Sequence, residues 1–141
     1  MTDSYTLRPG TPTPARFVEL RRAGGLTPYS LEAAARGLRG TVHGVVVLHG
    51  DTPVGMGRIV GDGGCTFQVA DIVVHPDHQG RGLGRRIMDA LNTHIETDLP
   101  EGAYVSLIAD RPADGLYAKY GFAPTAPAAI GMARWAGRDR S

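Results

Sequence analysis

The sequence predicts a mixed α/β fold: a mostly antiparallel central sheet of six to seven strands with about four helices. Three observations carry this. Between residues 41 and 76 three β-rich runs follow one another across short glycine-aspartate turns. From Gly82 the apolar period becomes helical, with Leu83, Ile87, Leu91 and Ile95 on one side. A further β-rich run then begins at Ala103, so that strand, loop, helix and strand form one crossover whose two strands run parallel.

The elements follow in order. A short strand near Tyr5 to Arg8 leads through "RPGTPTP" to "ARFVELRRA", where Phe17 and Leu20 have helical spacing. "SLEAAARGL" carries a cap at Ser30 and an apolar stripe of Leu31, Ala34, Ala35 and Leu38. "TVHGVVVL" and "PVGMGRIV" are hairpin strands joined at Gly50-Asp51, and "GDGG" turns the chain into "CTFQVADIVVHP". The long helix ends before Pro100, "AYVSLIA" (103 to 109) is a strand, and "PADGLYAKY" is a short helix stopped by Gly121. "IGMARW" (130 to 135) makes a last strand, and 136–141 form a frayed tail.

At 141 residues the chain fits a single domain, 1–141, with one site. The 15 basic and 14 acidic residues leave a formal charge of +1, so no global field draws it to nucleic acid or to an anionic membrane. Cys65 is the sole cysteine, which excludes an internal disulfide and a cysteine-rich metal site. His75 and His78 flank a turn without a second cluster, His43, His49 and His94 are scattered, and all five read as solvated rather than as metal ligands. The start has no signal-peptide pattern and no apolar run approaches the ~20 residues of a membrane span, so a cytoplasmic protein is expected.

The chemistry concentrates in "HPDHQGRGLGRRIMDAL", residues 75–91. Gly80, Gly82 and Gly84 remove Cβ atoms where the chain turns into the helix. The first N–H groups of a helix lack intrahelical partners and the aligned peptide dipoles add positive potential there, so this end is an anion site, most naturally for phosphate. Arg81 and Arg85 stand ready to add charge-assisted contacts. A Walker loop needs a lysine that this stretch lacks, and its G-x-G-x-G spacing is not the dinucleotide fingerprint.

"VVHPDHQGRGLGRRIM" resembles the acetyl-CoA-binding motif of the GNAT superfamily of N-acetyltransferases: a strand ending in V-x-P, then Q/R-x-x-G-x-G/A, here Gln79, Gly82 and Gly84, and a helix. Downstream, "DRPADGLYAKYGF" resembles the family's N-x-x-A-x-x-L-Y-x-x-x-G-F helix, and together the two motifs span about 67–122. The resemblance implies that the backbone of Gly80, Arg81, Gly82, Leu83, Gly84 and Arg85 wraps the pyrophosphate of acetyl-CoA. It also implies that Ile72, Val73 and Val74 offer main-chain bonds to the pantetheine arm, and that Tyr117, at the L-Y position, is the general acid for the departing thiolate. Asp110 stands where the family commonly has an Asn that contacts the coenzyme; a carboxylate cannot donate that bond, and capping of the short helix is the expected role.

Asp71 falls in phase with Val73 and His75 inside an apolar strand. Burying a carboxylate without a partner is costly. It reads equally as a general base or amine-recognition charge and as a residue displaced by a bulge and paired with an arginine such as Arg58.

Acetyl-CoA enters as cosubstrate, with no metal, and the acceptor is an amine of a small molecule or a protein. Phe17, Tyr29, Phe67, Met132 and Trp135 can line its site or equally pack the core. A rival reading is an acyl-CoA-binding sensor or assembly module without turnover. The family often dimerises through late strands, which leaves a homodimer open.

Overall fold

The computed structural model describes residues 4–111 and 113–137. The chain divides into two compact units, Met1–Leu107 and Ile108–Ser141.

The first unit contains β1 (Tyr5–Pro9), α1 (Pro14–Ala23), α2 (Leu31–Leu38), β2 (Thr41–His49), β3 (Thr52–Gly61), β4 (Thr66–Val74), a 3-10 turn at Pro76–His78, α3 (Leu83–Asp98) and β5 (Tyr104–Ser106). The strands lie in sequence order, β1 to β4 antiparallel and β5 parallel to β4. Among the described residues the mixed sheet has five strands, not the six to seven expected from sequence. The run at 130–135 was expected to be a strand, yet no described residue of 123–137 joins a ladder. A strand needs a neighbour for its backbone N–H and C=O groups, and alternation in a short run says nothing about whether that neighbour exists.

Local chemistry explains the helix starts and turns. Pro14 occupies the first turn of α1, and the Thr13 hydroxyl accepts the Arg16 N–H at 3.2 Å. Ser30 caps α2 by accepting the Ala33 N–H at 3.1 Å. Of the expected α2 stripe only Ala34 is buried and Leu38 half-buried; Leu31 and Ala35 are exposed, because one short helix presents a single narrow face to the sheet. Gly50, at φ +62°, closes the β2–β3 hairpin between the paired His49 and Thr52. In the β3–β4 loop Asp62 Oδ1 accepts N–H groups of Gly64, Cys65 and Thr66, and these bonds, that of Gly64 foremost, lower its carboxyl pKa.

The sheet is covered on both faces. On one, Phe17 and Leu20 of α1 and Ala34 of α2 pack with Met56 and Val73. On the other, α3 buries Leu83, Ile87, Met88 and Leu91. Gly57 lets α3 approach: a Cβ there would stand 2.6 Å from Ile87 Cγ2 and 3.2 Å from both Ile72 Cγ1 and Leu91 Cδ1.

The β3–β4 register breaks beside Gly57. Met56 pairs with Val73 and Arg58 with Ala70, so Gly57 faces two residues, Asp71 and Ile72. This is a bulge, and its first residue, Asp71, takes φ +59°, a left-handed conformation that Asp tolerates better than most residues. The extra residue turns the Ala70 and Asp71 side chains toward the same α1–α2 side while Ile72 points at α3. Asp71 Oδ1 accepts from Arg21 Nη1, and Oδ2 accepts from Arg58 Nε at 2.6 Å. Arg21 is 7% exposed and also donates to the Thr27 carbonyl, at 3.0 Å from Nε and 2.7 Å from Nη2. Arg58 Nη1 bonds the Gly37 carbonyl and Thr41 Oγ1, both at 3.0 Å. One carboxylate thus ties α1, the end of α2, β3 and β4 together.

The second unit holds α4 (Asp114–Ala118), on which Leu116 and Tyr117 are half-buried, followed by a turn at Gly121 with φ +88°. The remaining described residues are irregular and largely exposed, with Ile130 and Met132 at 71% and 86%. Of the expected frayed tail, 138–141 lie outside the described residues.

Two stability measurements check this packing. Asp71→Ala leaves two enclosed guanidiniums without their carboxylate, and urea denaturation should show a loss of about 3 kcal/mol or more. Gly57→Ala forces Ile87 and Leu91 aside, and should cost about 1–3 kcal/mol as an overpacking change.

Candidate functional site

β5 pairs with β4 only from Thr66–Tyr104 to Gln68–Ser106. From Val69 onward, therefore, β4 has no strand ladder on that side among the described residues. The bulge bends β4 in this unpaired stretch, three residues past the last pair. His75 N–H bonds the Val54 carbonyl at 2.8 Å, toward β3. Backbone alternation then turns the N–H and C=O of Val74, and those of Ile72, to the opposite, open edge. Gln79 Nε2 reaches the Val74 carbonyl at 2.9 Å from that side. Of the three predicted pantetheine contacts, Ile72 and Val74 thus have open-edge main-chain groups; Val73 faces β3, and its side chain is core.

The open edge runs directly into the glycine loop. His75 Nδ1 accepts the Asp77 N–H at 3.1 Å, closing the turn, and Gln79 ends it in an extended conformation. Gly80 and Gly82 take φ +79° and +77°, with open space where each Cβ would stand. They are glycines because of backbone conformation, not crowding. Gly82 is the N-cap of α3 and no side chain caps the helix. The first intrahelical bond runs from Arg86 N–H to the Gly82 carbonyl, so the N–H groups of Leu83, Gly84 and Arg85 have no acceptor within the helix. Arg81 and Arg85 are exposed beside them, whereas the Leu83 side chain is core. With its partial positive charge, such a helix start can hold an anion.

Tyr117 belongs to the second unit. It is half-buried, and burial together with the Asp110 carboxylate raises its phenol pKa above 10.0. Asp110 is exposed, and its backbone carbonyl accepts the Ala113 N–H at 2.8 Å. It does not cap α4: the N-cap is Ala113 and no side chain bonds the helix start. Its carboxylate acts instead as a charge that favours the protonated phenol.

The histidines are more organised than their spacing suggests. His43 and His94 stack at 4.1 Å, and His94 pairs with Asp98 at 3.0 Å. Burial first, and then His94, lowers the His43 pKa. Tyr5 donates to or accepts from His78 Nδ1 at 2.8 Å, with His49 close to both rings. Among the described residues no group of three or more His, Cys, Asp or Glu is placed to hold a metal ion, and no helix is long and apolar enough to cross a membrane.

Sequence reasoning missed Arg21. The signal was present: Phe17, Leu20 and Arg21 share the inward face of α1, and a charge on such a face needs a partner. Of the candidate lining residues, Phe17 and Tyr29 line a cavity beside Asp71 and Phe67 is fully core, while Met132 and Trp135 lie exposed in the second unit.

Comparison with known proteins fits this geometry. A family model for the acetyltransferase (GNAT) domain matches residues 26–131. The solved structure of a protein of unknown function from meticillin-resistant Staphylococcus aureus, a probable acetyltransferase, is 40% identical with a TM-score of 0.88, covering 94% of this chain and 99% of that one. Serotonin N-acetyltransferase 2, chloroplastic, of Oryza sativa subsp. japonica is 35% identical over 88 residues, 62% of this chain and 43% of that protein. The chain spans less than half the length of the curated relatives it matches. A predicted acetyltransferase of Clostridium acetobutylicum with acetyl-CoA shares the fold at 15% identity and a TM-score of 0.70, over 92% of this chain and 96% of that one. With a family model spanning most of its length and a close structural relative covered end to end, the chain belongs to the GNAT family of acetyltransferases.

Proposed function

We propose that this GNAT-type protein moves an acetyl group from acetyl-CoA to an amine by direct attack on the thioester. The observation that carries the reading is the continuity, within one unit, of an unpaired β4 edge with an uncapped, glycine-entered helix start. Peptide-like groups of the pantetheine arm match the open main-chain groups of Ile72 and the N–H of Val74, whose carbonyl Gln79 already holds. The pyrophosphate matches the N–H groups of Leu83, Gly84 and Arg85, approached over Gly80 and Gly82, with Arg81 and Arg85 adding charge and Gln79 holding the loop to Val74.

In the chemical step a neutral amine nitrogen bonds the carbonyl carbon, the C–S bond breaks, nitrogen loses a proton and sulfur gains one. No enzyme nucleophile is required. Tyr117 is the proposed general acid. Reference pKa values of about 10 for a phenol and 8.5 for a thiol set complete transfer to a free thiolate uphill by roughly 2 kcal/mol. The raised Tyr117 pKa lengthens that climb. The phenol therefore acts chiefly by donating a hydrogen bond to sulfur as charge develops, with the amine's surrendered proton completing the balance. Because its pKa is raised, the phenol stays protonated across neutral pH. Asp71, whose two oxygens each accept from a guanidinium, we assign to positioning rather than to proton removal: to act as a base it would give up one of those bonds.

Three outcomes are expected. Tyr117→Phe should leave acetyl-CoA affinity unchanged by calorimetry while kcat falls about 10²-fold. The wild-type kcat profile should show no falling limb assignable to this phenol below pH 10, since the shift is upward. Gly82→Ala places a Cβ at φ +77°, straining the loop by roughly 1–2 kcal/mol, and should weaken acetyl-CoA binding about tenfold or more. Tight binding without thiol release across a broad amine panel would replace this reading with an acyl-CoA sensor.

A further inference from the structure

Between α1, α2 and the bulged face of the sheet lies a cavity of about 340 Å³. That volume is at the small end of the roughly 300–1,000 Å³ typical of small-molecule sites, so it suits one compact molecule. Its walls include Phe17, Tyr29 and Ala34, and its polar side is Gln68, Arg58 and Asp71. The apolar walls suit a hydrocarbon or aromatic side chain. The polar side has a definite sign.

Asp71 is answered twice, by Arg21 and by Arg58. Two guanidiniums against one carboxylate leave one positive charge at this end of the cavity. Arg58 is also incompletely used. Its Nε bonds Asp71 and its Nη1 bonds Gly37 and Thr41, while Nη2 has no hydrogen-bond partner among the described residues. Among the described residues no buried side-chain polar atom lacks a partner, so Nη2 keeps solvent access on a residue that lines the cavity. The rest of the guanidinium is held by Asp71, Gly37 and Thr41, so the Nη2 donors are fixed in place before any ligand arrives.

We propose that this cavity receives the acceptor and selects small amines that also carry a carboxylate, amino-acid-like molecules with an apolar or aromatic side chain, the carboxylate being bound by Arg58 Nη2. The proposal rests on the acetyl-transfer reading above and deepens it. A simple alkylammonium meets net positive charge here and is disfavoured, whereas a carboxylate neutralises that charge and accepts a charge-assisted hydrogen bond. The same positive charge favours the neutral form of a nearby amine, which is the form that attacks a thioester.

The test uses the full chain with acetyl-CoA and matched amines: phenylalanine against phenethylamine, and tryptophan against tryptamine, followed by thiol release. The expected result is kcat/KM higher by about tenfold or more for the carboxylate-bearing member of each pair, the size of a hydrogen bond to a charged group. Arg58→Lys keeps the charge but removes Nη2 together with the guanidinium bonds to Asp71, Gly37 and Thr41, and the ratio should fall toward one. Should that variant fail to fold, the wild type still decides through turnover-independent binding. By calorimetry it should bind 3-phenylpropionate, and bind 3-phenylpropanol about tenfold more weakly or not at all. Equal binding of the two, no binding of the acid, or preference for the decarboxylated amines would overturn the proposal. Binding of the acid with no thiol release from any amine would uphold the carboxylate site and remove the acetyl-transfer reading instead.

Discussion

The ion pairs of Asp71 with Arg21 and Arg58 are the constraint on which the rest of the site depends. A bulge in β4 gives up a regular ladder position and places a non-glycine residue at positive φ, which costs free energy unless something fixes it. Asp71 provides the fixing. Its carboxylate is pinned by one guanidinium from α1 and one from β3, and those guanidiniums also bond carbonyls in the α1–α2 loop and at the end of α2. Taking charges out of water is expensive, and such a cluster gains the fold little over an apolar one of the same volume. What it sets is geometry: where β4 bends, and where α1 and α2 sit against it.

That bend has consequences on both sides of the strand. Toward the helices it turns Ala70 and Asp71 to the same side and opens a cavity with a net positive end. Toward β5 it accompanies the loss of pairing after Gln68, leaving main-chain groups of Ile72 and Val74 at an open edge. An unpaired edge inside a sheet invites strand-like addition, and the adjoining helix start supplies the complementary anion site. The proposed cosubstrate and acceptor regions of the first unit are two faces of one distortion. Gly57 belongs to the same device, because α3 must lie close behind the bulge for Ile72 to be covered.

Most of the fold was legible where local signals and periodicity agree. The Ser30 cap, the Gly50 hairpin turn, the α3 stripe and the crossover to a parallel strand all appear where the residues indicate. Where structure and expectation part, the cause is one: a strand needs a partner, and partners are not local. β5 stops at Ser106 rather than 109, and the 130–135 run forms no strand, though both have acceptable composition. At the site the glycine loop was readable because positive φ restricts residue type, which leaves a mark in sequence. The bulge at Asp71 could be named only as an alternative, because Asp in an apolar strand signals a need for charge compensation without saying from where. Its second answer, Arg21, lies fifty residues earlier in the chain on a helix face, beyond any local pattern.

Tyr117, as the proposed general acid, must meet two opposed requirements. To be protonated at neutral pH it needs only an ordinary or raised pKa, and burial with the Asp110 charge ensures this. To hand its proton fully to a thiolate it would need a pKa below that of the thiol, and the same environment moves it the other way. The two are compatible if the phenol's contribution comes in the transition state, where sulfur carries part of its charge and a hydrogen bond from a neutral donor is worth most. Asp110, standing where the resemblance puts an Asn, then has a physical effect distinct from coenzyme contact: in place of an amide donor it brings a charge that keeps the phenol neutral. A phenol so held resists ionisation as the pH rises, and in the proposed mechanism the alkaline limit of turnover passes to whichever other group titrates first.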